Sequence, residues 1–369
     1  RISESLGLLY AMHWPFRQYE SARGIRKSAL HGVLSAVGAV FGETAGWERP
    51  NWFANEGQLG EYDYSYGKQN WHENMRAECD AVRTAVGIFD QSSFAKFSVS
   101  GPDALAVLER LSANSIDVPP GRGVYTQWLN DRGGIEADLT VTRLDGDVFW
   151  VVTSAASQTR DWAWLRRGCR EHDVTISDIT DDWSVLGVMG PNSRGLLQSL
   201  TKIDLSDEAF TFGTMKSVVI ADVTCRALRM SYVGELGWEL YVPVGQTEAV
   251  YSAVTEGGEP HGLRHAGFHA MNSLRLEAGY RHWGHDISDE DTPLEAGLGF
   301  AVAWEKPGGF VGREALLSQR DAPKSKRLIQ FRIEDAELIS YHDDPIFRDD
   351  IYVGRTTGGM WSHVEDRCL

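Results

Sequence analysis

Cysteine is scarce in this chain and scattered. Cys79, Cys169, Cys225 and Cys368 are all it has in 369 residues, and no two form a CxxC pair. That spacing excludes a zinc knuckle or a dithiol motif. Thiols so few and dispersed suit a reducing compartment, the cytoplasm or the mitochondrial matrix of a eukaryote. No apolar run is long enough for a membrane-spanning helix. Basic residues are outnumbered, 36 Lys and Arg against 52 Asp and Glu, leaving a net charge of −16 with no Lys/Arg block. Such a chain is poorly suited to a phosphate backbone, so neither nucleic acid nor membrane is expected as a partner. No GxGxxG follows a strand, and no GxxxxGK[ST], HExxH or GxSxG occurs. A dinucleotide site, a P-loop, a zincin and a hydrolase elbow are therefore not encoded in this stretch. No charged-then-apolar leader opens the chain, and the sequence has no internal repeat.

What is present reads as globular. The hydrophobic fraction is 42% and the charged fraction 24%. The length suits two or three modules. Residues 1–45 have no clean period and read as a linker, with a weakly helical Leu30–Leu34. Regular structure is expected over 46–323, followed by a short basic joint at Lys324–Lys326 and a β-rich tail to Leu369 that looks unfinished. Met75, Cys79 and Val82 recur at helical spacing. Phe97 and Val99 alternate as in a strand, and Leu105, Leu108 and Leu111 form the stripe of a following helix. After Gly133-Gly134, Leu139 and Val141 face one side of a strand, while Asp138, Thr140 and Thr142 face the other. Asp145-Gly146 signals a hairpin. Helices are expected near 157–170, 192–200 and 265–280, and strands on either side of Val233–Gly237. Without regular βαβ alternation, the mixture is α+β.

Asp138 is the first candidate for chemistry. A carboxylate on the polar face of an otherwise apolar strand can orient an amine, move a proton or stabilise a cation. The alternative is a cap on the Gly-Gly turn. Glu235, in a tight Gly-Glu-Leu-Gly turn, can accept two parallel N–H donors, or simply be a solvated turn residue. Tyr125 and Tyr232 can present rings to a planar ligand, or be ordinary core tyrosines. His282, His285 and Asp286 lie close in sequence, but no further ligand group accompanies them, so capping or solvent-facing histidines are favoured over a metal site.

Four ordered motifs carry a resemblance: 98-SVSGPDA-104, 129-LNDRGGIEADL-139, 232-YVGELGWE-239 and 273-SLRLEAG-279. In that order the chain resembles the glycine-cleavage T-protein (aminomethyltransferase) family. It looks most like the tetrahydrofolate-binding half of dimethylglycine and sarcosine dehydrogenases, through 12-MHWP-15, 20-ESARG-24, 47-WERPNWF-53 and 280-YRHWGHD-286. The resemblance implies a multi-module folate-binding α+β fold around a central channel, with an incomplete barrel-like module over 324–369. It places the catalytic carboxylate on Asp138, the pterin-edge carboxylate on Glu235, ring contacts on Tyr125 and Tyr232, and Thr140 beside Asp138. Phe94 falls where the family usually has a methionine against the pterin. Met271-Asn272 stands where the family commonly has Arg-Asp, so a cationic folate contact is missing or supplied elsewhere.

The implied reaction is methylene transfer to tetrahydrofolate from an iminium or formaldehyde derived from an N-methyl amine of the dimethylglycine or sarcosine class. The product is 5,10-methylenetetrahydrofolate. FAD belongs only to an oxidoreductase domain expected in cis before Arg1, with residues 1–45 as its trailing linker. Two other readings keep the fold: a folate-dependent demethylase that yields 5-methyltetrahydrofolate, and a non-catalytic folate-binding protein.

Overall fold

The computed structural model describes residues 1–323 and 326–369. The expected basic joint therefore lies partly outside the described residues. The chain opens with α1 (Ile2–Leu8), β1 (Arg26–Lys27), α2 (His31–Ala36), β2 (Ala39–Thr44) and β3 (Trp47–Phe53). Then come α3 (His72–Thr84), β4 (Val86–Asp90), β5 (Ala95–Ser100), α4 (Ala104–Leu111), β6 (Arg122–Leu129), β7 (Ile135–Asp145) and β8 (Val148–Thr153). The middle continues with α5 (Gln158–Gly168), β9 (Thr175–Asp178), β10 (Trp183–Met189), α6 (Ser193–Leu200), β11 (Met215–Ile220), β12 (Val223–Leu228) and β13 (Gly237–Pro243). α7 (Thr247–Gly258), β14 (Leu263–His265), α8 (Phe268–Glu277) and α9 (Arg313–Arg320) follow, and the tail holds β15 (Pro345–Arg348), β16 (Ile351–Arg355), β17 (Trp361–Ser362) and β18 (Arg367–Cys368).

Two sheets position the site. The first has six strands in the order β11-β12-β13-β10-β4-β14, antiparallel except for the β4–β14 pair. The second has five, β6-β7-β8-β5-β9, all antiparallel. Each sheet buries its outer face under helices. Leu186, Val188, Leu240 and Val242 of the first pack against Leu196 and Leu197 of α6 and Val250 and Val254 of α7. Phe97, Val99, Leu139, Val141 and Phe149 of the second pack against Leu108 and Leu111 of α4 and Leu165 of α5. Leu105 is only partly buried, because Ala104 and Val107 take the stripe instead. The inner faces meet through Trp150 and Val152 on one side and Val185, Leu228 and Tyr241 on the other.

The structure differs from the sequence reading most in residues 1–45. β2 and β3 pair as a hairpin whose turn is Ala45-Gly46, both at positive φ (51° and 85°). The expected boundary at residue 45 thus falls in a two-residue turn. Leu30 and Leu34 are buried in the core behind the first sheet. Burying two leucines is worth about 3 kcal/mol or more, which ties this segment to the body. Pro50 lacks an N–H for a ladder, and it is accommodated in the middle strand of a three-stranded sheet because the register slips by a bulge at Val40/Phe41, opposite it. The tail is β-rich as expected, in two short hairpins. Cys79, Cys225 and Cys368 are buried and all four thiols are free.

Candidate active site between two sheets

Alternation along β7 turns Asp138, Thr140 and Thr142 away from the helix-covered side. The register then aligns Gln127 with Asp138 and Tyr125 with Thr140 on β6. Gln127 Nε2 donates to Asp138 Oδ1 at 2.9 Å, and the Tyr125 hydroxyl is close enough to act on the same carboxylate. Asp138 does not cap the Gly-Gly turn. Asn130 does, accepting from the backbone N–H groups of Arg132 and Gly134, each at 3.0 Å. Gly134 must be glycine, because a Cβ there would stand 2.0 Å from the Asp289 carbonyl oxygen. Burial pushes the Asp138 carboxyl up to about 6, against the opposing pull of Gln127, Tyr125 and the more distant Arg281 charge. A carboxylate poised there exchanges protons near neutrality.

Thr140 joins Asp138 on the inner face, and its hydroxyl lies 3.8 Å from the Met230 sulfur, just past β12. Phe94 reaches the same inter-sheet cluster and meets Phe268 edge-on at 6.4 Å. Tyr232 donates to the Arg281 carbonyl oxygen and stacks on Tyr280 with centroids 5.8 Å apart. Tyr125 stacks on Phe300 with centroids 6.3 Å apart, and the Asp138 charge acts on both Tyr125 and Tyr232. Desolvation raises the pKa of both hydroxyls, which keeps them neutral donors.

Glu235 is placed differently. Its Oε1 accepts from Arg83 Nη1 at 2.8 Å, while Arg83 Nη2 donates to Glu277 at 2.7 Å. The turn makes it an ion-pair residue between α3, α8 and the β12–β13 loop. Met271 is 3% exposed in a core with Trp52, Trp71 and Leu274, so a cation is not needed there. Arg281 is the guanidinium whose charge acts on both Asp138 and Tyr232. Among the described residues no group of three or more His, Cys, Asp or Glu could hold a metal, and His282 and His285 simply pack on one another at 4.4 Å.

Glu239 was not singled out from sequence. It is 9% exposed on the inner face of β13, and Tyr241 donates to its Oε2 at 2.6 Å. Burial raises its pKa to about 7, while Lys96 on the opposite sheet pulls it down. Gly187 lies directly across from it on β10, and the Gln91 amide oxygen sits 2.5 Å from where a Cβ at 187 would stand. Both amide atoms of Gln91, the Ser93 hydroxyl, Gln127 Oε1 and the Thr142 hydroxyl are buried without a hydrogen-bond partner among the described residues. Orphan polar groups of this kind are costly unless a ligand or water engages them. The repeated acid of the motif, Glu-x-x-x-Glu, was the available signal. The fully buried pattern of β13 hid which carboxylate faced inward.

Comparison with known proteins identifies the family and the fold. Residues 30–306 match the GCVT N-terminal domain. The chain belongs to that family. The match begins at Leu30, the first core residue of the N-terminal segment. The chain is 44% identical over its whole length to the 4-methylaminobutanoate oxidase (formaldehyde-forming) of Paenarthrobacter nicotinovorans, of which it spans 45%. It is 37% identical to the mitochondrial sarcosine dehydrogenase of Homo sapiens, covering 100% of this chain and 44% of that protein. The chain thus spans a little under half the length of these relatives. The crystal structure of the glycine cleavage system aminomethyltransferase T of Bartonella henselae superposes with a TM-score of 0.78, covering 94% of this chain and 88% of that one at 24% identity. The mixed α+β architecture is that of the T-protein fold.

Proposed function

We propose that this chain catalyses tetrahydrofolate-dependent one-carbon transfer, taking a methylene unit from an iminium or formaldehyde derived from an N-methyl amine. The observation that carries this reading is a pair of buried carboxylates on facing sheets, which we take as the walls of a ligand cleft. Asp138, held by Gln127, and Glu239, held by Tyr241, lie on the inner faces of the two sheets, and unpartnered polar atoms occur on the same strands and loops. A reduced pterin fits that donor set. It offers a row of N–H donors for buried carboxylates, a carbonyl oxygen for an amide or hydroxyl donor, and a flat face for Tyr125, Tyr232 and Phe94. When bound, tetrahydrofolate supplies a nucleophilic nitrogen that accepts the one-carbon unit, giving 5,10-methylenetetrahydrofolate.

The protein's part is orientation and charge. The Asp138 carboxylate faces the cleft beside Tyr125 and can stabilise an iminium cation or carry a proton away from a reacting amine. Its raised pKa suits both tasks. Glu239 is better placed than Glu235 for the pterin edge, because Glu235 spends one oxygen on Arg83 while Glu239 is buried with a single donor. Gln91 and Gln127 bring further amide atoms to the same walls. The hydrophobic inter-sheet cluster around Trp150 and Tyr241 excludes water from this region. In a longer protein, an FAD-bearing domain in cis would generate the iminium by oxidising the amine.

The test is direct. The 369-residue chain is titrated with 5-formyltetrahydrofolate by calorimetry. Formation of 5,10-methylenetetrahydrofolate from tetrahydrofolate, formaldehyde and sarcosine is then followed against the uncatalysed rate. Binding together with acceleration that depends on Asp138 supports the reading. No binding, or a rate equal to the uncatalysed one, overturns it. A 5-methyl product formed from a methyl donor points to a demethylase.

A further inference from the structure

Arg49 has no task in the site as described, and its surroundings are unusual. It lies on β3, and its guanidinium covers the Phe268 ring at 4.0 Å from the centroid. Its Nε is buried without an acceptor, and its guanidinium forms no ion pair among the described residues. Several other arginines of the interior are matched to carboxylates. Arg23 has Glu48, Arg83 has Glu235 and Glu277, Arg160 has Glu136, and Arg275 has Asp286. Glu43, the acid whose charge acts on Arg49, is committed to Arg1 at 2.7 Å and to the Gly46 N–H at 2.5 Å. Burial lowers the Arg49 pKa to about 10, so the group stays charged at neutral pH while lacking a counter-ion.

Two aromatic rings connect it to the inter-sheet region. Phe268, under the guanidinium, meets Phe94, which reaches the inter-sheet cluster. The charge of Arg49 bears on His269, His282 and His285, and the imidazoles of His269 and His282 are held neutral by burial and by neighbouring cations. Arg275 and Asp286, beside those histidines, also act on Tyr232. We place one mouth of the proposed cleft here, where an uncompensated cation is stacked on an aromatic face, with planar N–H donors suited to a bidentate oxyanion.

We propose that Arg49 is a carboxylate anchor at this mouth, binding a carboxylate borne either by an amino-acid one-carbon donor or by the glutamyl tail of the folate. The identity of the bearer rests on the folate reading above; the anion site itself does not. A carboxylate there would supply the missing partner and hold one end of the ligand while the other reaches toward Asp138.

The experiment uses the full chain as wild type, Arg49→Met and Arg49→Lys, with Arg167→Met as a control. Arg167 covers Trp164 at 4.8 Å on α5, on the outer side of the second sheet, and also lacks a carboxylate partner among the described residues. Calorimetry compares two pairs of probes: sarcosine with sarcosinamide, and 5-formyltetrahydrofolate with its glutamyl dimethyl ester. Arg49→Met should weaken the carboxylate member of one pair about ten- to a hundredfold and its neutral counterpart by less than twofold. The affected pair identifies the bearer. Arg49→Lys should retain part of the affinity, and Arg167→Met all of it. Equal losses on charged and neutral probes would assign Arg49 to packing and overturn the proposal, as would an equal loss in Arg167→Met or no binding of any probe by wild type. Folate binding that is unchanged in Arg49→Met, with sarcosine also unchanged, sinks the anchor and leaves the folate reading standing. Sarcosine discrimination without folate binding does the reverse. If Arg49→Met melts early, Arg49→Lys still separates lost charge from lost packing.

Discussion

Two carboxylate neighbourhoods of this molecule look alike in sequence and differ in kind. Asp138 follows a Gly-Gly turn and Glu235 sits within a Gly-Glu-Leu-Gly turn. Around Asp138 the donors are neutral and the group titrates near 6. Around Glu235 the donor is a guanidinium shared with Glu277. A buried carboxylate left without a salt bridge retains its reactivity, because nothing neutralises its charge before a ligand arrives. One tied to an arginine spends that charge on joining elements.

Removing charge from the first neighbourhood should have the largest effect. Asp138→Asn keeps the shape and should lower methylene transfer about 10²–10⁴-fold while 5-formyltetrahydrofolate affinity changes only a few-fold. Wild-type transfer should rise with pH through about 6 as the carboxylate forms, and the variant should lose that limb. The stability sign is opposite to a salt bridge. The folded pKa lies above the unfolded value, so this group's favourable contribution is complete below pH about 4 and is lost as pH rises through about 6. Asp138→Asn should therefore melt higher than wild type at pH 7.5 and not at pH 3.5. Intact transfer in the variant would remove Asp138 from the mechanism.

Arg83→Met breaks the second neighbourhood. It strands Glu277, whose side chain is 8% exposed, and should cost roughly 3 kcal/mol in denaturant unfolding. Loss of folate binding in protein that remains folded would show that the comparison is drawn wrongly.

Glu239→Gln should reduce 5-formyltetrahydrofolate affinity about ten- to a hundredfold, the value of one charge-assisted hydrogen bond. Glu235→Gln is the smallest change. Its half-buried pair with Arg83 should be worth about 0.5 kcal/mol in a thermal melt, with folate affinity nearly intact. If calorimetry ranks these two the other way, the pterin edge belongs to Glu235.

Strand β7 was legible because its period is two and one face is apolar: Leu139 and Val141 went to the core and Asp138 and Thr140 to the cleft. The helix α3 was legible for the same kind of reason, with Met75, Cys79 and Val82 buried at helical spacing. The hairpin of β2 and β3 was not, because Pro50 and the charged Glu48-Arg49 break every local pattern and only pairing partners and a bulge accommodate them.

What the sequence by itself determined is the fold class and the facing of one strand: an α+β chain without a dinucleotide fingerprint, with Asp138 on the polar face of β7. Local periodicity and turn chemistry suffice for that. Only the tertiary structure decided which carboxylates are free. Glu239 lies in a strand buried along nearly its whole length, so its facing depends on the second sheet. Glu235 and Arg49 differ by whether a distant residue arrives to neutralise them: Arg83 does for one, and no carboxylate does for the other among the described residues. Charge compensation is a property of contacts far apart in the chain, and no local pattern encodes it.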